Sequence, residues 1–191
     1  MKKNLGSVLA LYPTPLVVIG AMNGEKPTWM LAGHVGIMGH DRILISMHQA
    51  HHTNPFIRES KRLSVAVVDE ALLPMADYVG TVSGKSTDKS AVFDYTLSEN
   101  GTLLITAAPL VMDCEVVENH ETEAFDNFIC KIAATYADEA VLDEKGKIDY
   151  TKLKPILFEM PTYSYLKTGD ILARGTEYGR KMKQQKKEGK S

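Results

Sequence analysis

Cysteine is scarce. Cys114 and Cys130 are the only two in 191 residues, and no CxxC spacing joins them, so neither a disulfide scaffold nor a cysteine-based zinc site is expected; buried free thiols are. Long apolar runs are missing as well. None approaches the ~20 residues of a membrane span, and Lys2-Lys3 leads into a short mixed segment broken at Pro13 and Pro15 instead of a signal-peptide core. The chain is therefore expected in the cytoplasm, with no membrane partner. No GxGxxG is present, and in Gly80–Lys89, GTVSGKSTDK, the interval from Gly80 to Gly84 is one residue too short for a phosphate loop of the nucleotide-hydrolase type. Internal repeats are absent too.

What the chain does have is an ordinary globular composition, 44% hydrophobic and 24% charged. A domain of this length buries roughly 70% of its unfolded surface, enough for a core without metal or disulfide staples. The net charge of -2 hides an asymmetry: Arg180 to Ser191 carries six basic residues and one acidic, leaving the preceding residues at -7. This divides the chain into one domain over 1–179 and a basic, flexible tail over 180–191. One short basic run beside an acidic body does not point to a nucleic-acid partner.

Strand signals dominate. Met1 to Ala10 is a short lead with room for a helical turn, and Pro13 and Pro15 force the chain to extend. Leu16 to Ala21 is apolar and β-branched, and Asn23-Gly24 is a strong hairpin signal before a second strand from Thr28 to Val35. Arg42 to His48 reads as the next strand. Thr53 then stands as a helix cap with Pro55 in the first turn of a helix reaching Ser60. Leu63 to Asp69 is a strand, and Ala71 to Val79 a short helix running into the Gly80–Lys89 loop. Strands resume from Leu103 to Val117 with a break at Pro109, and again from Phe128 to Tyr136 after the acidic segment Glu118 to Asp126. Asp143 to Gly146 is a turn. A final extended stretch from Pro155 to Leu166 would place Tyr163 and Tyr165 on one face. Many strands with few short helices argue for a mainly β, antiparallel barrel over a doubly wound sheet.

The Gly80–Lys89 loop combines small residues, including Ser83 and Gly84, with hydroxyls and the two lysines Lys85 and Lys89, which is what an anionic ligand needs. A solvated loop would have the same composition. The run His48, His51, His52 has metal-like spacing, but no nearby cysteine or carboxylate completes a four-ligand set, and phosphate-side or solvated histidines are the alternatives.

Four segments, LYPTPLVVIGAMNGEKPTWMLAG, ISMHQAHHTNPFIRES, YVGTVSGKSTDKS and TYSYLKTG, resemble in order and spacing the flavin reductase-like proteins that include flavoredoxin. The resemblance spans roughly Tyr12 to Gly169. Its most specific parts are Ser83-Gly84 with Asp88-Lys89, and Thr53 leading Ile57-Arg58-Glu59. It implies an FMN-binding split β-barrel with Greek-key-like antiparallel strands, which holds FMN non-covalently as a homodimer with flavin sites at the subunit interface. Thr53 would offer the phosphate a hydroxyl and free amides at a helix start, Lys89 would supply charge with Lys85 or Arg58, and Ser83 lies in the same loop. Trp29 would cover or edge the ring, or else be a core tryptophan, and Thr28, Met30 and Leu31 would turn backbone groups to the ring's pyrimidine side. Asn23, Ser46, Met47 and His48 fall near the flavin in similar proteins, as do Tyr163 and Tyr165. Where relatives often have Gly-Asp-His, this chain has Phe125-Asp126-Asn127, so Asn127 replaces a histidine or its role passes to His120.

The implied function is that of an oxidoreductase passing electrons through FMN, with no catalytic side chain required because the chemistry belongs to the flavin. NAD(P)H or a redox protein would be the electron partner. A sensing module without turnover, or a flavin-free interaction domain, would share the same fold.

Overall fold

The structure, a computed structural model, describes residues 1–188. Its strands are β1 (Thr14–Pro15), β2 (Val17–Asn23), β3 (Lys26–Ala32), β4 (Val35–Ile37), β5 (Arg42–His48), β6 (Arg62–Val67), β7 (Tyr95–Leu97), β8 (Leu103–Ile105), β9 (Leu110–Glu121), β10 (Phe125–Ala137), β11 (Leu157–Glu159) and β12 (Ser164–Leu166). The helices are α1 (Asn54–Ser60), α2 (Leu73–Thr81), α3 (Tyr150–Leu153) and α4 (Glu177–Glu188), with a 3-10 turn at Glu139–Val141.

Seven strands form one antiparallel sheet in the order β3-β2-β6-β9-β10-β5-β4. Strands β3 and β5 stand far apart in that order, yet Met30 and Ala32 of β3 share a buried cluster with Ile45 and Met47 of β5. The sheet must therefore curl until its ends face each other. Phe128, Leu63, Val65 and the two thiols, Cys114 and Cys130, fill the inside of the curl, and Ile57 of α1 plugs it. Each fully buried side chain of this size contributes roughly 1.5–3 kcal/mol. On the outer face a second cluster of Leu16, Val18, Trp29, Ala76, Val79, Phe93, Leu103 and Phe158 packs under α2 and two small sheets, β7-β8 and β1-β11-β12.

Local signals explain most of these elements. The β2-β3 hairpin turns on Gly24 and Glu25, since Asn23 pairs with Lys26; Gly24 has φ +60°, where a side chain is strained. Helix α1 begins after Thr53 with Pro55 in its first turn and ends at Lys61, whose left-handed backbone closes it. The β9-β10 hairpin is long and has two register shifts, at Ile129/Cys130 and at Ile132/Ala134.

Four readings of the sequence need correction. The acidic segment Glu118 to Asp126 belongs to the hairpin: β9 runs to Glu121 and β10 starts at Phe125, because the charged positions there, apart from Asp126, project into solvent beyond the core. The stretch from Pro155 to Leu166 is a hairpin, β11 and β12, reversing at Met160 to Tyr163, where Tyr163 takes φ +58°. The lead segment Met1 to Leu11 has no helical turn and lies in the open. The basic tail, read as flexible, is helix α4 up to Glu188; residues 189–191 lie outside the described residues. Among the described residues, no helix is long and apolar enough to cross a membrane.

Candidate cofactor site

Two adjoining cavities open where β3, β5, α2 and the 49–53 loop meet. The larger, about 620 Å³, is a cleft with an apolar floor of Leu16, Met30, Leu31 and Ala32. One wall carries Ser46, His48 and His51; the other carries Asp77, Tyr163 and Tyr165, with Phe125, Phe158 and Met160 toward the ends. The smaller, about 220 Å³, is polar and lies between Thr53 and His51–His52 on one side and Val82–Gly84 and Lys89 on the other. Met30, Leu31, His51, Gly80 and Thr81 border both, so the two form one continuous depression, apolar and wide at one end, narrow and polar at the other.

The polar end is built by close packing. A Cβ on Gly84 would come within 2.7 Å of the His52 ring, and one on Gly80 within 2.8 Å of Leu31, so both glycines are required for the chain to pass there. Thr53 is buried at the helix cap position, but its hydroxyl makes no capping bond and its backbone is already helical. Lys89 is 7% exposed, and its ammonium donates to Val79 O at 2.6 Å and to Trp29 O at 3.3 Å, tying the end of α2 to β3. Burial pulls its pKa below the usual lysine value. His51 is also held below its ordinary value, first by burial, then by His48, Lys89 and Lys85.

The opposite end is lined by rings. Phe125 lies 5.5 Å from His48 and 6.2 Å from His34 between ring centres, and His48 meets His51 edge to face at 6.1 Å. Behind His34, the Tyr12 hydroxyl shares a hydrogen bond with its Nε2 at 2.8 Å. Across the cleft, Tyr165 donates its hydroxyl proton to Asp77 at 2.5 Å, and burial together with that carboxylate raises the phenol's pKa.

Measured against the sequence, Met30, Leu31, Ser46, His48, Tyr163 and Tyr165 line the cleft, and Thr53, Ser83 and Lys89 the polar pocket. Asn23, Thr28 and Lys85 stand on a third, open depression of about 410 Å³ across the Gly84–Lys89 loop. Three more of the expected residues line neither cavity. Trp29 is fully buried on the outer face of β3, edge-on to Phe93 and Tyr95, and cannot cover a ligand ring in the cleft. Met47 alternates with Ser46 and His48 and so points into the inner core. Asn127 stands opposite Ser46 on the same side of β10 as Phe125, but its amide is drawn off to His120 O and Thr122 Oγ1 and it does not line the cavity; His120 is exposed. Arg58 is not free either: its guanidinium is paired with Asp126 at 2.7 Å. The sequence did not single out His34, Asp77, Phe125 and Phe158 as site residues; they come from four separate parts of the chain, the β3-β4 connection, α2, β10 and β11. Among the described residues no group of three or more His, Cys, Asp or Glu side chains converges as a metal site.

A family model described as "Flavin reductase like domain" matches residues 9–164. Among solved structures, flavoredoxin from Methanosarcina acetivorans superposes with a TM-score of 0.90 at 29% identity, covering 95% of this chain and 99% of that one. Flavoredoxin of Desulfovibrio vulgaris (Miyazaki F) gives 0.86 at 28% identity, over 94% and 100%. An FMN-binding protein from Thermus thermophilus, solved with bound 1-cyclohex-2-enone, shares the fold at 0.77 and 20% identity, over 91% and 99%. No curated protein matches the chain.

Proposed function

The chain belongs to the flavin reductase-like domain family, and on that premise we propose that it is an FMN-dependent oxidoreductase of the flavoredoxin kind, moving electrons through a non-covalently held FMN. The observation that carries this reading is the continuity of an apolar, ring-lined cleft with a small polar pocket holding a buried lysine and an uncommitted threonine hydroxyl. An amphiphile with a flat aromatic head and an anionic tail has that shape and polarity.

The residues present fit the group. Thr53, Ser83 and Lys89 would hold the phosphate, and His51, at the junction of the two cavities, would stand between the phosphate and ring positions. Met30 and Leu31 floor the ring slot, and Ser46 and His48 give it polar contacts on one side. Lys89 has three ammonium hydrogens and gives two to carbonyls, which leaves one for an anion. Bound FMN supplies hydride and single-electron chemistry that no side chain here provides. The protein's part would be to orient the ring on the cleft floor, Met30 and Leu31 among its residues, and to admit a nicotinamide or a redox protein through the cleft's mouth.

The homodimer expectation is part of this proposal. Leu5, Val8, Leu9 and Leu11 on the lead segment, Ile37 and Met38 beside the sheet-edge strand β4, and Ile171 and Leu172 beyond β12 are all exposed, a large apolar surface for a lone chain. A second copy would cover it and help close the cleft.

The visible spectrum of the purified protein and titration of the apo-protein with FMN and riboflavin test the reading. FMN is expected to bind at least tenfold more tightly, because charge-assisted hydrogen bonds to phosphate contribute roughly 1.5–3 kcal/mol each. A colourless protein that leaves added FMN fully fluorescent would remove the proposal. Anaerobic bleaching of bound FMN by NADH or NADPH separates a nicotinamide-driven enzyme from a carrier fed by a redox protein.

A further inference from the structure

The 49–53 loop, which carries His51, His52 and Thr53 to the polar pocket, is held in place by a buried network that does not itself touch the pocket. Asn54 is fully buried, and its side-chain amide donates to His48 O at 3.2 Å and to Asp126 Oδ2 at 2.6 Å. The first bond closes the loop from the end of β5 to the start of α1, and the second anchors that closure to β10. The same Asp126 oxygen accepts from Arg58 at 2.7 Å, while its other oxygen faces Asn119 Nδ2 at 3.3 Å. Within the loop, His51 N bonds to His48 O and Asn54 N to His51 O. The loop's other ties are Gln49 to Ala124 O and Thr122 O, Ala50 N to His48 Nδ1, and the His52 ring on Phe56; none of them reaches the base of the loop at Asn54, and the Thr53 hydroxyl caps nothing.

We propose that Asn54, locked by the buried carboxylate of Asp126, is the positioning residue that fixes this loop for a phosphate, so that the pair sets how far the protein prefers a phosphorylated flavin to an unphosphorylated one. This rests on the FMN reading above. Both amide hydrogens of Asn54 are committed, one on each side of the loop's base, so the side chain has one orientation, and Thr53 beside it inherits that constraint. A carboxylate with Arg58 against it and no exposed surface cannot relax to accept a different partner without leaving a charge unpaired. Most of the ring cleft is built elsewhere, its floor from β3 and its far wall from α2 and β12; only the wall of His48 and His51 adjoins this link.

Asn54→Ala cuts the link without altering any charge near the pocket, so a change in phosphate preference cannot arise from altered electrostatic attraction. The expected result is a tenfold or greater loss of FMN affinity, a riboflavin affinity within threefold of wild type, and hence a collapse of the FMN/riboflavin ratio. A merely structural role would lower both affinities together. Asn119→Ala, which removes a donor from the same carboxylate on the strand side, is expected to leave the ratio unchanged. If Asn54→Ala does not fold, the charge-neutral double variant Asp126→Ala/Arg58→Gln, which removes the acceptor of the Asn54 amide, is expected to lower the ratio in the same direction. Wild-type protein that binds FMN and riboflavin equally would overturn the FMN phosphate reading itself. A wild type that discriminates while Asn54→Ala retains the same ratio would overturn this inference alone.

Discussion

Asp126 and Asp113 begin in the same circumstances. Both lie on the β9-β10 hairpin, both side chains are wholly buried, and both have an arginine beside them and an asparagine amide donating to them. Around Asp126 the arginine is at 2.7 Å and the two shortest partners, Asn54 and Arg58, lead to α1 and the 49–53 loop, with Asn119 of β9 at 3.3 Å on the other oxygen. Around Asp113 Arg62 stands off at 4.0 Å, Ser98 and Asn100 donate to one oxygen at 2.9 Å each, and the other oxygen has no hydrogen bond. Ser98 and Asn100 belong to the β7-β8 hairpin, so Asp113 fastens a cover over the outer core and Asp126 fastens the edge of the cofactor site. What a buried carboxylate does is decided by what its donors are attached to.

The largest expected effect tests that division from the structural side. Asp113→Ala removes the acceptor of two hydrogen bonds and leaves Arg62 without its counter-charge, which typically costs about 3–5 kcal/mol, read from urea unfolding of the apo-protein. The FMN/riboflavin ratio is expected to stay unchanged; if it moves, the two carboxylates do not divide the work as described. Acid sharpens the same point. Burial alone would raise the Asp113 pKa, but the Asn100 and Ser98 donors and Arg62 outweigh it and hold the group below its ordinary value. A depressed folded-state pKa gives stability that is full above the unfolded value of about 3.9 and lost as pH falls below it. Urea midpoints measured from pH 5 to pH 2.5 should therefore fall more steeply for wild type than for Asp113→Asn.

Lys89→Met is next in size and acts on both sides of the comparison. It removes the cation proposed for the phosphate and also leaves Val79 O and Trp29 O without their donor. FMN affinity should drop tenfold or more, and apo stability by roughly 1–3 kcal/mol, measured by titration and urea unfolding. Thr53→Ala should separate the two effects. Because the hydroxyl caps nothing, apo stability should change by less than ~0.5 kcal/mol, well under the usual cap loss, while FMN affinity falls about five- to tenfold. Lys85→Met is the smallest. An exposed lysine contributes under ~1 kcal/mol, so the loss in FMN affinity should stay below fivefold. A larger loss for Lys85→Met than for Lys89→Met would place the phosphate on the other side of the Gly84–Lys89 loop.

The parts of the molecule that could be read from sequence are those whose cause is local. Strand β5 has the bounds that Arg42 to His48 suggested, and the Thr53-Asn54-Pro55 start placed α1, because alternation and proline geometry act over a few residues. Alternation also says that Trp29 and Leu31 share a side while Met47 opposes Ser46 and His48, but not which side faces a cleft. That depends on the curl of the sheet, which puts Trp29 and Met47 into two different cores. Asp126 looked like one more charge in an acidic run. Its burial follows from Asn54 and Arg58, some seventy residues earlier, and no local pattern encodes that pairing. The rings at the cleft's far end, His34, Phe125 and Phe158, are assembled by topology in the same way.

The two register shifts of the β9-β10 hairpin behave like a compensated pair of frameshifts. At the first, β9 carries an extra residue, Val117; at the second, β10 carries one, Ala133, and the pairing beyond both returns to the frame it left. Asp126 lies on one side of the shifted block and Asp113 at its other margin, and the hairpin has the same frame at both because the two offsets cancel. A one-residue deletion at Val117 or at Ala133 would put the two ends of the hairpin out of frame with each other, whereas deleting both would remove the offset and leave them aligned. In this hairpin, tolerance to insertion and deletion is a property of two sites together and of neither one alone.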